Sequence, residues 1–256
     1  MPLENTNNLF STLLNRVHIG QSPQFLEAIP AESIALTLTS PPYYDDELYI
    51  LDDGELEFGW KSYDDYLSHL NQTLDELYRI TIPGGHVVLV LSNSPQTDAN
   101  EHITHYWPIV HDLIHYAVKQ NWTMQDEIIW AKKEPSYPYI QNRSTPETSS
   151  IVRHDLITVL RKPGPIRDGY SSIPISSVWH LKDRGDIQKY NKAYPSFPDQ
   201  LVRRVIRSWS LEEDIVLDPY AGSGQVCRIA LELDRFTIGV EMDEQWQDLW
   251  HDINST

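Results

Sequence analysis

The chain has 256 residues, 40% of them hydrophobic and 22% charged, which suits one large core and excludes a wholly disordered chain. Its longest apolar run, residues 87–91, falls far short of the roughly 20 that span a bilayer, and the opening MPLENTNNLF carries no targeting pattern. The single cysteine, Cys227, excludes an internal disulfide framework, and a net charge of −17 excludes a chain that is basic throughout.

Residues 34–39 alternate and run apolar, as a buried strand does, before Pro41-Pro42 ends the run. Tyr63, Tyr66, Leu67, Leu70, Leu74 and Leu77 recur at three- and four-residue spacing, which predicts a helix over 62–82. Pro83-Gly84-Gly85 is read as its break, with a central strand at 86–91. A helix over 109–120 and short strands at 126–130 and 157–160 follow. Leu201, Val202, Val205 and Ile206 share one face of a helix over 199–209. A strand at 214–218, a Gly-rich turn, a helix over 225–233 and a strand at 237–241 complete the chain. Alternating strands and helices predict an α/β fold with a largely parallel sheet. Residues 134–176, rich in Pro, Ser, Tyr and basic side chains, stand out as an insert.

Charge is distributed unevenly. Residues 1–118 hold 3 Lys and Arg against 17 Asp and Glu, residues 119–207 hold 15 against 9, and residues 208–256 hold 2 against 11. An acidic body repels polyanions at long range, yet a local basic stripe can neutralise phosphates. A solvated basic face with no partner would read the same.

Two motifs carry chemistry. Asp218-Pro-Tyr-Ala-Gly-Ser-Gly224 follows a strand and opens a helix, where glycines admit close approach of a ligand and the helix N-terminus favours electron-rich groups. Glu241 ends the next strand, at the point where an acid commonly binds the two hydroxyls of a cofactor ribose. Only Gly222 and Gly224 are present, so the six-residue dinucleotide fingerprint is incomplete, and no Gly-Lys-Ser/Thr marks a P-loop. A tight turn without a ligand is the plain alternative. Ser40-Pro-Pro-Tyr43 lies at the carboxyl end of the first strand, where α/β sheets place ligands. Its hydroxyl, its carbonyls and its aromatic face suit a planar ring bearing an exocyclic amine. A strand closed by a Pro-Pro turn would also read this way. His111-Asp-Leu-Ile-His115 spaces two imidazoles like a zinc-hydrolase helix, but with Asp where Glu is usual, and no metal is expected.

The cofactor turn resembles that of class I S-adenosylmethionine methyltransferases, and Ser40-Pro-Pro-Tyr43 resembles motif IV of the DNA amino-methyltransferases, which act on cytosine N4 or adenine N6. The likeness runs over nearly the whole chain. Leu26-Glu-Ala-Ile-Pro-Ala-Glu-Ser-Ile34 is similar to the lead into motif IV, Arg79-Ile-Thr-Ile-Pro-Gly-Gly85 to the next helix–turn–strand, and Glu127-Ile-Ile-Trp-Ala-Lys132 to a later strand. Ala193-Tyr-Pro-Ser-Phe-Pro198 resembles motif X. The order, catalytic motif first and cofactor turn last, is similar to the circularly permuted β class.

The resemblance implies a Rossmann-like mixed sheet with helices on both faces and a small target-recognition insert. It divides the chain into a catalytic half (1–133), the insert (134–176) and a cofactor half (177–256). It implies S-adenosylmethionine held by Phe197, Asp218, Pro219, Tyr220, Gly222, Ser223, Gly224, Glu241 and Met242, with Asp218 at the amino-acid end and Met242 beside the adenine. Ser40, Pro41, Pro42 and Tyr43 would act on a base flipped out of double-stranded DNA. Lys132, Lys133, Arg143, Arg153, Arg161, Lys162 and Arg167 would contact that DNA. Members with Ser at the first motif position are mostly N4-cytosine enzymes, so N4-methylcytosine is the expected product. N6-adenine is the alternative, and a nucleic-acid-binding protein on the same fold the second. The resemblance leaves room for a homodimer and for a cognate restriction nuclease acting separately. One departure stands out: seven acids between Asp45 and Glu57 crowd the loop after Tyr43 and would repel phosphates.

Overall fold

The computed structural model describes residues 10–44, 60–97, 103–132, 152–170, 176–181 and 196–255. In chain order the elements are β1 (Arg16–Ile19), β2 (Ile34–Thr39), α1 (Tyr63–Ile80), β3 (Thr81–Leu91), β4 (Ser94–Thr97), β5 (Ile103–Trp107), α2 (Ile109–Lys119), β6 (Thr123–Ala131) and β7 (His154–Arg161). After these come β8 (Val178–His180), α3 (Asp199–Trp209), β9 (Ile215–Asp218), α4 (Gln225–Glu232), β10 (Phe236–Glu241) and α5 (His251–Asn254).

Eight of the strands form one sheet in the order β1-β10-β9-β2-β3-β7-β6-β8, and β4 pairs with β5 in a separate hairpin. Every neighbouring pair in the large sheet is parallel except those made by β7, which runs against both β3 and β6. The pleat divides β3 between two cores. Val87, Leu89 and Leu91 pack with Leu70, Leu74, Leu77 and Ile80 of α1 and with α2. Val88 and Val90 pack on the other face with Leu201, Val202, Val205 and Ile206 of α3 and with α4. Both faces are covered, which is why β2 and β3 read as near-continuous apolar runs.

Ser62 caps α1 by accepting from the Asp65 amide, and Asp64, Asp65 and Arg79 complement the helix dipole at its two ends. The expected break at Pro83-Gly84-Gly85 is corrected: α1 ends at Ile80, and the three residues lie inside β3. The register against β2 jumps from Ile34↔Thr81 to Leu36↔His86, so they form an irregularity within the strand. Gly84 has φ +79°, and a Cβ there would lie 2.2 Å from the Pro165 carbonyl oxygen.

Two boundaries of the expected organisation also change. The insert at 134–176 contains β7, which pairs with β6 from His154 to Arg161 and with β3 from Leu156 to Arg161, so residues 154–161 of that segment belong to the sheet. The residues ahead of β2 pack against the C-terminal part of the chain. There β1 pairs with β10, and the Ser22 hydroxyl donates to the Pro219 carbonyl at 2.9 Å. Among the described residues no helix is long and apolar enough to cross a membrane.

Candidate active site

The chain progresses from β2 through α1 to β3 on one side, and from β9 through α4 to β10 on the other. The crevice between β2 and β9 is therefore the switch point of the sheet, and its carboxyl edge is where such sheets bind ligands. Ser40-Pro-Pro-Tyr43 leaves β2 there and Asp218–Gly224 leaves β9 there, so the structure brings together the two motifs that lie almost 180 residues apart. They touch. The Thr39 hydroxyl, one residue before Ser40, donates to the Asp218 carboxylate at 2.7 Å.

Asp218 is 3% exposed, and the same carboxylate oxygen accepts the Tyr220 amide. Burial raises its pKa to about 7, against the lowering effect of those two hydrogen bonds. Asp218 thus shapes the turn from within through one carboxylate oxygen. Gly222 and Gly224 both have positive φ, +49° and +74°. A Cβ at Gly222 would meet nothing within 4 Å, which leaves open space over the turn, while one at Gly224 would lie 2.6 Å from Ile253 Cδ1.

Glu241 organises the far wall. One carboxylate oxygen accepts the Gly222 amide at 2.8 Å, and the other accepts the Met242 and Asp243 amides, both at 2.9 Å. Burial pushes its pKa up, and the three amides oppose that shift. Each carboxylate oxygen offers two lone pairs, so the oxygen on Gly222 keeps one for a ligand hydroxyl. Trp250 supports the turn from beneath by donating its indole N–H to the Gly222 carbonyl at 2.9 Å. Phe197 sits beside the start of α4, its carbonyl accepting from the Gln225 side chain at 2.8 Å. Open space at Gly222 and a lone pair on Glu241 fit the ribose end of S-adenosylmethionine.

At the catalytic turn Pro41 is buried and Ser40, Pro42 and Tyr43 are half-buried. Within the turn the Pro42 carbonyl accepts the Tyr66 hydroxyl at 3.0 Å. Tyr44 packs among Tyr63, Tyr66 and Trp107. Thr39, Tyr66, His69, Thr73 and Trp250 all contribute to the site, and none was singled out from sequence. Their contacts with the two turns are long-range, and the only local hint was the helical spacing of Tyr66.

The basic residues divide between opposite ends of the sheet. Because β7 is reversed, its last residue lies at the edge away from the site. Lys162 is 8% exposed there, with its ammonium on the Thr81 carbonyl at 2.8 Å and on Glu32 at 3.3 Å. Arg167 forms a bidentate pair with Asp214, just ahead of β9, and Arg161 donates to the Gly164 carbonyl. These three thus stand at the edge of the sheet opposite the two motifs, each held by these contacts. Lys132 lies at the site edge but pairs with Asp155 and covers the Trp130 ring. Arg153 is exposed at that edge. Lys133, Arg143 and the acids between Asp45 and Glu57 lie outside the described residues. His111 and His115 are exposed on α2, while Asp112 between them accepts the Tyr63 hydroxyl. Among the described residues no cluster could hold a metal ion.

Known proteins share this architecture. TTHA0409 of Thermus thermophilus, solved with S-adenosyl-L-methionine, superimposes with a TM-score of 0.70 at 25% identity, covering 94% of this chain and 93% of that one. The PvuII DNA methyltransferase (cytosine-N4-specific) gives 0.71 at 16% identity over 93% of this chain and 92% of that one, a likeness of fold. The type II methyltransferase M.MjaI of Methanocaldococcus jannaschii is 26% identical, covering 86% of this chain and 84% of its own length. M.BglII of Bacillus subtilis is 22% identical, covering 94% and 69%. The fold is that of the class I methyltransferases, whose DNA-modifying members take their methyl group from S-adenosylmethionine. The DNA methylase family model matches residues 34–251, and with the two motifs joined at the switch point the chain belongs to the N6/N4 DNA amino-methyltransferase family.

Proposed function

We propose that the protein methylates the exocyclic N4 amine of cytosine in double-stranded DNA, with Ser40 as an acceptor for the amino group. The observation that carries this is the Thr39–Asp218 hydrogen bond, which sets the Ser40 turn directly against the cofactor turn. S-adenosylmethionine supplies, when bound, a methyl group activated by an adjacent sulfonium. The chain's own task is to prepare the nucleophile. The cytosine amine is delocalised into the ring and weakly nucleophilic. Acceptance of its protons by the Ser40 hydroxyl and the Pro41 carbonyl would favour a tetrahedral nitrogen with its lone pair aimed in line. Tyr43 would stack on the flipped base.

Ser40 also supports cytosine over adenine through the family resemblance, in which Ser at this motif position goes mostly with N4-cytosine enzymes. DNA contact is proposed for Lys133, Arg143 and Arg153, with recognition by the segment between Lys132 and Arg153. Both flanks of that segment lie at the site edge, where the Lys132 amide bonds the Arg153 carbonyl. Labelled cofactor, a mixed-sequence DNA duplex and digestion to nucleosides test the reading: label is expected in N4-methyldeoxycytidine. Label in N6-methyldeoxyadenosine would move the target to adenine, and label at cytosine C5 would refute the mechanism.

The buried carboxyl adds a pH signature. In the free protein Asp218 titrates near 7, whereas a cationic ligand favours its ionised form and lowers that value. Affinity for S-adenosylmethionine should therefore climb as pH rises towards about 7, then level off, with proton release on binding below the plateau. Calorimetry in buffers of different ionisation enthalpy measures that release. Asp218→Asn, which keeps an oxygen for Thr39, should abolish it.

A further inference from the structure

One face of α1 reaches both turns of the site. Tyr66, His69 and Thr73 stand at i, i+3 and i+7, a single helical stripe. Tyr66 is fully buried and donates its hydroxyl to the Pro42 carbonyl in the Ser-Pro-Pro-Tyr turn at 3.0 Å. One turn further along, His69 Nε2 lies 2.9 Å from the hydroxyl of Tyr220 in the cofactor turn. That hydroxyl also lies 3.0 Å from Thr73 Oγ1, which lies 3.1 Å from the His69 carbonyl. A small apolar cavity lined by Thr39, Pro41, Leu70, Thr73 and Tyr220 marks where the three elements meet.

Counting protons fixes the direction of this ring of bonds. The His69 carbonyl can only accept, so it takes the single Thr73 hydroxyl proton. Thr73 then accepts from Tyr220, whose oxygen is left to accept from His69 Nε2–H. The neutral imidazole thus carries its proton on Nε2. Burial lowers the pKa of His69, which favours that neutral form, and the Trp60 ring shields it at 5.0 Å.

We infer that α1 sets the register between the two halves of the site, with Tyr66 holding the amine-binding turn and the His69–Tyr220–Thr73 ring holding the cofactor turn. The three are positioning residues: they fix the separation between the amine acceptors and the methyl donor, and touch neither. In-line transfer tolerates little misplacement, so loosening the grip on the amine-binding turn lowers kcat, while loosening the grip on the cofactor turn weakens cofactor binding. The inference rests on the reading of Ser40 as the amine acceptor.

Single-hydroxyl deletions test it, with kcat, KM for S-adenosylmethionine and melting temperature measured on each variant. Tyr66→Phe should lower kcat by about 3- to 10-fold, the cost of one lost hydrogen bond, with KM for the cofactor within about twofold. Tyr220→Phe should raise that KM by a similar factor. His69→Gln, whose amide can still donate to Tyr220, should keep most of the affinity that His69→Leu loses. Should a Tyr220 variant not fold, Thr73→Ser against Thr73→Val tests the same ring. A lower melting temperature with unchanged kcat and KM would overturn the inference, and equal effects of Gln and Leu at position 69 would overturn the assigned donor. Ser40→Ala inactive beside fully active Tyr66→Phe and Tyr220→Phe would sink the role of α1 alone. Full turnover in Ser40→Ala would sink the reading of Ser40, and this inference with it.

Discussion

Ser40→Ala is expected to slow methyl transfer by about a hundredfold or more while leaving S-adenosylmethionine affinity within about twofold, the pattern of a group that acts on the transition state. The division follows from the fold. Ser40 begins the turn after β2, and its neighbour Thr39 already fixes the backbone through Asp218. Removing one hydroxyl from a half-buried position leaves that link intact. The open space at Gly222 and the Glu241 carboxylate, proposed to serve the cofactor, lie on the turn after β9 and at the end of β10. Single-turnover rates with saturating cofactor, set beside calorimetric affinities, make the measurement. An unchanged rate would remove Ser40 from the chemistry. A matching loss of cofactor affinity would mean that the two turns are one binding unit.

The parts of this fold that were legible in sequence are those whose signals are local. The helix over 199–209 has the same bounds in the structure, because its apolar stripe is regular and Pro198 marks its start. β9, the Gly-rich turn, α4 and β10 were visible for the same reason. Pro83-Gly84-Gly85 misled because these residues usually end an element, whereas here a positive φ at Gly84 and the Pro165 carbonyl beside it accommodate them within β3. β7 was hidden at its ends inside a stretch of polar and basic composition. Only its pairing with β3 and β6 shows that it is a central strand. Composition also cannot say at which edge of a sheet a basic residue emerges. Lys162 and Arg167 follow a reversed strand, and one reversal carries them to the edge opposite Ser40. The Tyr66, His69 and Thr73 contacts were beyond reach for a related reason. Their partners Pro42 and Tyr220 are brought to α1 only by closure of the whole sheet.

Glu241→Ala should weaken S-adenosylmethionine binding by about a hundredfold, close to 2.7 kcal/mol, the order of losing charge-assisted hydrogen bonds at a partly buried carboxylate. Two losses combine. The carboxylate would no longer offer its remaining lone pair to a ribose hydroxyl, and the Gly222, Met242 and Asp243 amides would lose their common acceptor. The second loss loosens the wall that faces the open space at Gly222, so the melting temperature should fall as well. Glu241→Gln separates the two effects. Its amide oxygen can still accept the Met242 and Asp243 amides, but its NH₂ group then meets the Gly222 N–H donor to donor. Glutamine should therefore recover most of the melting temperature and little of the affinity. If Glu241→Ala bound the cofactor as tightly as the parent chain, the carboxylate would be a brace for the turn and not a ligand. Full recovery of affinity in Glu241→Gln would mean that charge is dispensable, leaving backbone geometry as what the ligand reads.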